Sequence, residues 1–433
     1  MRTFFPFLIC CLIFYSCKTS SGVLAKKTAH EQYADKLDKI GLKQTALGKN
    51  WFAVAEKSIT NSVSVKLPYK ENGYFAADRP DATGLRFDAK RGEQLIIELS
   101  KIPAFNYLLF ADLFSLVNGT TQFIQSIDTV TNTLRYLVKE NTNFILRLQP
   151  ELLQNMSYTI TIKTGPSLAF PVSSPTSKNR VISVWGDGRD KGARKHEGVD
   201  IGGAFRTPLI AVGDGYVSRV NENNLGGKVV FISDANSGDS WYYAHLDSQT
   251  ARQGQQVKTG DIIGLMGNTG NAKTTVPHLH FGIYTANGAV DPLPYINPVN
   301  NEPKPVTAAA TIFGKRMRLA GKSLFIYSSP DLNGREKAIE GMPILITGAT
   351  NNLYKAILPG GEVKFIPAAN VISLEKRIKR LSLKEAVKLM DAPADDAPVI
   401  QTLYAGLGVD VLGIYGQYQY VVLGEKYGWI KAK

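Results

Sequence analysis

All three cysteines of this 433-residue chain, Cys10, Cys11 and Cys17, lie within its first 17 residues. That placement excludes a disulfide-stapled fold, and any cysteine-ligated zinc site, over the rest of the sequence. Whatever folds downstream must be held by packing. With 44% hydrophobic residues there is ample apolar material, and the length suggests two to four domains. The histidines are as unevenly spread: His196, His245, His278 and His280, four of the five, fall within 85 consecutive residues. Imidazole chemistry is therefore concentrated in one region.

Arg2 precedes an apolar run from Phe4 to Tyr15. The run is too short to span a bilayer but suits the apolar region of a secretory signal. No other stretch reaches about 18 apolar residues, so no transmembrane helix is expected. The run ends in Ser16-Cys17 and is followed by polar residues 18–22. Residues 1–17 resemble a bacterial lipoprotein signal, although Phe14 stands where Leu is usual. The resemblance implies cleavage before Cys17 and lipidation of its thiol, which anchors an exported protein to a membrane facing the periplasm or cell wall. An ordinary cleaved signal is the alternative.

Residues 24–60 read as helical: Tyr33, Leu37 and Ile40 share a face, Gly41 stops the pattern, and Leu47, Trp51, Val54 and Ala55 repeat it. Residues 61–165 switch to period 2, clearest at 94–99 and 158–162, and suggest a β-sandwich accessory domain. A linker rich in Pro, Ser and Gly follows, then the histidine-rich region at 181–297. The C-terminal part contains a weak internal repeat, 312–374 and 383–433, each copy reading as strand, Pro-containing loop and further strands ending in an aromatic. The pattern looks like two bacterial SH3-like barrels. Tyr415, Tyr418, Tyr420 and Trp429 either line a groove or fill barrel core, with core preferred. The expected fold class is mainly β and multidomain.

Three segments carry chemistry: Arg194-Lys195-His196-Glu197-Gly198-Val199-Asp200, Tyr242-Tyr243-Ala244-His245-Leu246, and Pro277-His278-Leu279-His280-Phe281. Gly198 and the Gly202-Gly203 pair argue against a helix through His196 and Asp200. His278 and His280, two apart, point to one side of a strand. Imidazole nitrogens and a carboxylate oxygen are normal zinc ligands, and a catalytic zinc needs three. Four histidines and Asp200 exceed that number, so residues remain for acid–base work. The helical zinc motif H-E-x-x-H fails here, because position 200 is Asp. Glu197 then reads as a solvated charge.

In order and spacing these segments resemble the lysostaphin-type, M23 family of zinc metallopeptidases, the LytM domain. The resemblance implies an antiparallel-β peptidase domain over 181–297. It implies one Zn²⁺ per chain, held by His196, Asp200 and His280, with His245 and His278 as the catalytic pair. It further implies hydrolysis of amide bonds in peptidoglycan, in stem-peptide crosslinks or in glycine bridges. The other reading is a catalytically inactive LytM-type activator of a cell-wall amidase, a type that commonly lacks ligands which this chain retains. Tyr243 and Asn268 are candidates for substrate contact or packing. The segment 271–276 is longer than the common form and is expected to shape the cleft rim. The net charge of +13 fits an anionic envelope polymer or lipid surface. Nucleic acid is disfavoured by the export signal and the lack of a recognition motif.

Overall fold

The computed structural model describes residues 27–105, 107–173, 180–189, 192–299 and 302–432. The leader and Cys17 lie outside them. Among the described residues, no helix is long and apolar enough to cross a membrane.

The chain opens with a helical hairpin. Thr28 caps the helix Ala29–Lys39 through a reciprocal box: the Glu31 N–H donates to Thr28 Oγ1 at 3.1 Å, and the Thr28 N–H to Glu31 Oε2 at 2.8 Å. Gly41 takes a left-handed φ of 75°, which a side chain would resist, and the chain turns into the helix Ala46–Thr60. Leu37 and Trp51 bury against Phe110 and Leu152 of the following domain. His30, the one histidine outside the cluster, stacks on Trp51 at 4.7 Å, and its Nε2 lies 2.7 Å from Gln149 Oε1. Its role is packing.

The next domain stacks two antiparallel-rich sheets on a core of alternating apolar residues. Along Tyr69–Phe75 burial alternates strictly, as period 2 demands. One sheet has the strand order Val63–Ser64, Thr83–Ala89, Thr142–Pro150, Leu109–Val117, Thr120–Ser126. The other runs Thr133–Leu137, Glu93–Ile102, Met156–Pro166, Tyr69–Phe75, and does not stop there. Tyr69–Phe75 also pairs with Pro343–Thr350, placing Asn72 opposite Ala349 and Gly73 opposite Gly348. The first C-terminal repeat thus extends the sandwich sheet. Beneath this junction Lys355 Nζ reaches Glu71 at 3.0 and 3.3 Å, and Tyr69 and Tyr158 each donate a hydroxyl to the same carboxylate at 2.6 Å. Both charges are buried and fully partnered, which is the condition for tolerating an ion pair in a core.

The second repeat, joined by the strand Lys379–Ser382 just before it, forms its own six-stranded sheet. Both repeats contain a three-strand meander: Pro343–Thr350, Leu353–Ile357, Val363–Pro367 in one, and Gly408–Tyr415, Tyr418–Leu423, Lys426–Lys431 in the other. Neither sheet path closes on itself among the described strands. Tyr418, Tyr420 and Trp429 are buried core, with Tyr415 packed against them.

The histidine-rich region lies between these halves and forms a ten-stranded sheet. Its central order is Arg180–Ser183, Val199–Gly202, His278–Thr285, Ser240–Gln249, Gly227–Asp234. Val199, Ile201, Trp241, Tyr243, Leu279, Phe281 and Ile283 fill the core. The opposite face of the same strands is left for the site. This region docks on the sandwich through Tyr295, whose ring lies so close to Gly92 that a Cβ there would come within 2.2 Å.

Candidate metal centre and active-site cleft

Strand register brings the site together. In the antiparallel pair Val199–Gly202 and His278–Thr285, Asp200 lies opposite His280, and Gly202 opposite His278. His278 and His280 share a face, as their spacing predicts. His196 precedes this strand by a short irregular segment, and the turn depends on Gly198. A Cβ at Gly198 would lie 2.6 Å from the Phe281 carbonyl oxygen and 2.7 Å from the His280 ring.

Three atoms converge. His196 Nε2 and His280 Nδ1 are 2.9 Å apart, and each lies 3.0 Å from Asp200 Oδ1. Two imidazole nitrogens and one carboxylate oxygen form a zinc-type donor set. Tetrahedral ligands at zinc bond lengths of 2.0–2.1 Å sit about 3.3 Å apart, so the cluster needs only a slight expansion to accept the ion. The surroundings prepare each donor. His196 Nδ1 lies 2.9 Å from the Val184 carbonyl, which can only accept, so Nδ1 is committed as a donor and Nε2 is the nitrogen turned to Asp200. Burial disfavours the charged form of Asp200, yet its contacts with the His196 and His280 nitrogens outweigh that and hold the carboxyl well below the usual range. Burial likewise pushes His280 down, against the pull of Asp200, and a neutral ring is what a metal ligand must be.

His245 and His278 form a second imidazole pair with ring centroids 5.0 Å apart, and His245 lies 6.0 Å from His280. His245 Nδ1 donates to the Thr269 carbonyl at 2.9 Å, and His278 Nδ1 to the Val276 carbonyl at 2.9 Å. In each ring Nδ1 is therefore the donor already engaged. Burial and the neighbouring His278 lower the His245 pKa to about 4, so it is neutral at physiological pH.

His245 reaches this position through a local irregularity. Simple alternation would put it on the core side with Tyr243, whose residue is fully buried and whose hydroxyl oxygen accepts from the Val212 N–H at 3.0 Å. The register shifts between Lys228 and Val230, and His245 takes φ 63°. The bulge re-aims the imidazole into the cleft.

The cleft has a volume of about 660 Å³. Besides the five residues above, Tyr242, Tyr284 and Glu197 line it, and the longer segment contributes Asn271, Ala272 and Thr275. Glu197 is exposed at the rim. Tyr243 is core, and Asn268 braces the loop through contacts of 3.4 Å to the Lys273 and Thr275 carbonyls. Tyr242 was legible from strand parity with Ala244, which faces His280. Arg189 was not: it comes from the small hairpin Gly188–Arg189 with Arg194–Lys195, and donates to Asp200 Oδ2 at 2.6 Å.

Residues 194–292 match the family described as Peptidase family M23. The L-Ala--D-Glu endopeptidase of Bacillus subtilis is 35% identical over 140 residues, 30% of this chain and 42% of that protein. The peptidoglycan DD-endopeptidase ShyC of Vibrio cholerae is 34% identical over 110 residues, 25% of this chain and 24% of that protein. The murein hydrolase activator NlpD of Salmonella dublin is 32% identical over 160 residues, 34% of this chain and 42% of that protein. The chain thus spans less than half the length of each of these relatives. Residues 194–292 form a Peptidase M23 domain of the LytM type, similar to proteins named as endopeptidases.

Proposed function

We propose that this chain is a zinc-dependent peptidoglycan endopeptidase that hydrolyses amide bonds in stem-peptide crosslinks. The observation that carries the reading is the convergence of His196 Nε2, Asp200 Oδ1 and His280 Nδ1 within 3.0 Å of one another, beside a second imidazole pair. His196, Asp200 and His280 would hold one Zn²⁺. That ion would polarise the scissile carbonyl and bring a water pKa towards about 7. Arg189 fixes the outer oxygen of Asp200, so that Oδ1 faces the donors. His245 and His278 act through Nε2. Between them they take a proton from the attacking water and return one to the leaving amine, so the step is balanced. The cleft walls, Tyr242 and Tyr284 among them, position the peptide.

The same reading makes Cys17 the lipid attachment point, with the protein in the bacterial envelope, and treats the sandwich and the two SH3-like repeats as accessory domains. The chain's similarity to a named murein hydrolase activator favours one second reading, a binding protein that switches on a cell-wall amidase. The test is incubation of the zinc-loaded full chain with purified peptidoglycan, with and without chelator. New amine-bearing fragments, identified by mass spectrometry and lost with chelator, are expected. Their absence with zinc bound, together with stimulation of an added amidase, would replace the first reading by the second.

A further inference from the structure

A second concavity, of about 610 Å³, shares no lining residue with the catalytic cleft. It forms where three parts of the chain meet: residues 66–70 entering the sandwich, 302–304 of the connector, and the loops 327–332 and 350–353 of the first C-terminal repeat. Its walls are fixed in relation to one another. The sheet is continuous across them, Thr350 Oγ1 donates to the Lys70 carbonyl at 2.7 Å, and the buried Glu71–Lys355 pair lies beneath. A groove held in this way pays little ordering cost on binding.

The chemistry of the lining is asymmetric. Both of its acids are already engaged. Asp331 accepts from Lys66 at 2.9 Å and from Asn333 at 2.6 Å, and Glu302 accepts from Lys163 at 2.7 Å. Lys70 and Lys304 have no carboxylate partner among the described residues. The side-chain amides of Asn351 and Asn352 make no hydrogen bond among the described residues either. Pro68, Pro330 and Tyr327 supply flat apolar surface. Two uncommitted ammonium groups call for anions, two uncommitted amides suit peptide groups, and rigid apolar walls suit small side chains.

We infer that this groove binds a short carboxylate-bearing peptide, its carboxylates paired with Lys70 and Lys304 and its backbone with Asn351 and Asn352. Resting on the function proposed above, the peptide is a wall stem peptide, held by the enzyme outside the cleft that cuts.

The test uses the full chain and a soluble stem peptide carrying a photo-crosslinker, with adducts mapped by mass spectrometry. Adducts in 302–304 or 327–332 are expected, in addition to any in the cleft. Adducts confined to the cleft, or none, overturn the proposal. In calorimetry the stem peptide should bind about tenfold more weakly to a Lys70→Gln/Lys304→Gln variant with an unchanged thermal midpoint. Equal binding by that variant, or equal competition by a stem peptide with amidated carboxylates, overturns the ion pairing. Polyglutamate binding as tightly as the stem peptide overturns the assignment to wall peptide. Wall cleavage is scored in parallel. Groove adducts without cleavage would refute the peptidase reading alone, and cleavage without groove adducts would refute the groove alone.

Discussion

Arg189 and Asp200 form an ion pair of 2.6 Å through Asp200 Oδ2, the oxygen turned away from His196 and His280. The guanidinium therefore fixes the carboxylate in one orientation, with Oδ1 facing the two imidazoles. Arg189→Ala should weaken zinc binding by roughly 10–100-fold, the usual cost of losing a partner behind a metal ligand. Competition against a calibrated chelator measures this directly, and unchanged affinity would remove Arg189 from the site.

The two imidazole pairs should separate by experiment. His245→Ala and His280→Ala are both expected to abolish wall cleavage, with only the latter strongly weakening zinc binding. Zinc affinity measured on the two variants decides the matter, and intact affinity in His280→Ala would refute the ligand set.

Gly198 is expected to tolerate no side chain. In Gly198→Ala the new methyl group would lie 2.6 Å from the Phe281 carbonyl and 2.7 Å from the His280 ring, so the strand or that ring must shift. A fall in zinc affinity, read with the same chelator, is the expected result.

Lys355→Met leaves the Glu71 carboxylate buried with two tyrosine hydroxyls but no counter-charge. The expected loss is roughly 3–5 kcal/mol, as for other broken buried pairs. Denaturant unfolding should show the loss, and a Glu71→Gln/Lys355→Met double variant should recover much of it.

The helical hairpin should be acid-sensitive. Burial lowers the pKa of His30, with the nearby Arg147 adding to the effect. In the unfolded chain the ring titrates near about 6.5. Above that pH neither state is protonated and His30 adds no pH dependence. As pH falls below it, the unfolded chain binds a proton that the folded chain resists, so stability drops until the folded pKa is passed. Unfolding curves at pH 7.5 and 5.5 (roughly one unit either side of the free value) should differ more for the native chain than for His30→Gln. Equal differences would assign the acid sensitivity to other groups.

Much of the site was written in the sequence because it depends on local geometry. The two-residue spacing of His278 and His280 fixes a shared face in any strand, and Gly198 and Gly202 mark the chain as non-helical. What was hidden depends on pairing. That Asp200 sits opposite His280 follows from register between strands about 80 residues apart. His245 needed a bulge that alternation alone does not foresee, and the same alternation sends Tyr243 to the core and leaves Tyr242 in the cleft. Arg189 sits on a two-residue hairpin strand with no periodicity to read. The two repeats were visible from strand spacing, but the pairing of Asn72 with Ala349 is a contact across 277 residues that no local pattern encodes.

That long-range pairing turns the peptidase domain into an insertion. It leaves the sandwich sheet by one connector, and the chain returns to the same sheet by another. Its two ends are thus moored to a single slab of hydrogen-bonded backbone. Tension applied at the C-terminal repeat would run through that slab and bypass the strands that carry the four histidines. A single cut in the connector beyond residue 302 would leave the two fragments clasped through the Asn72–Ala349 pairing.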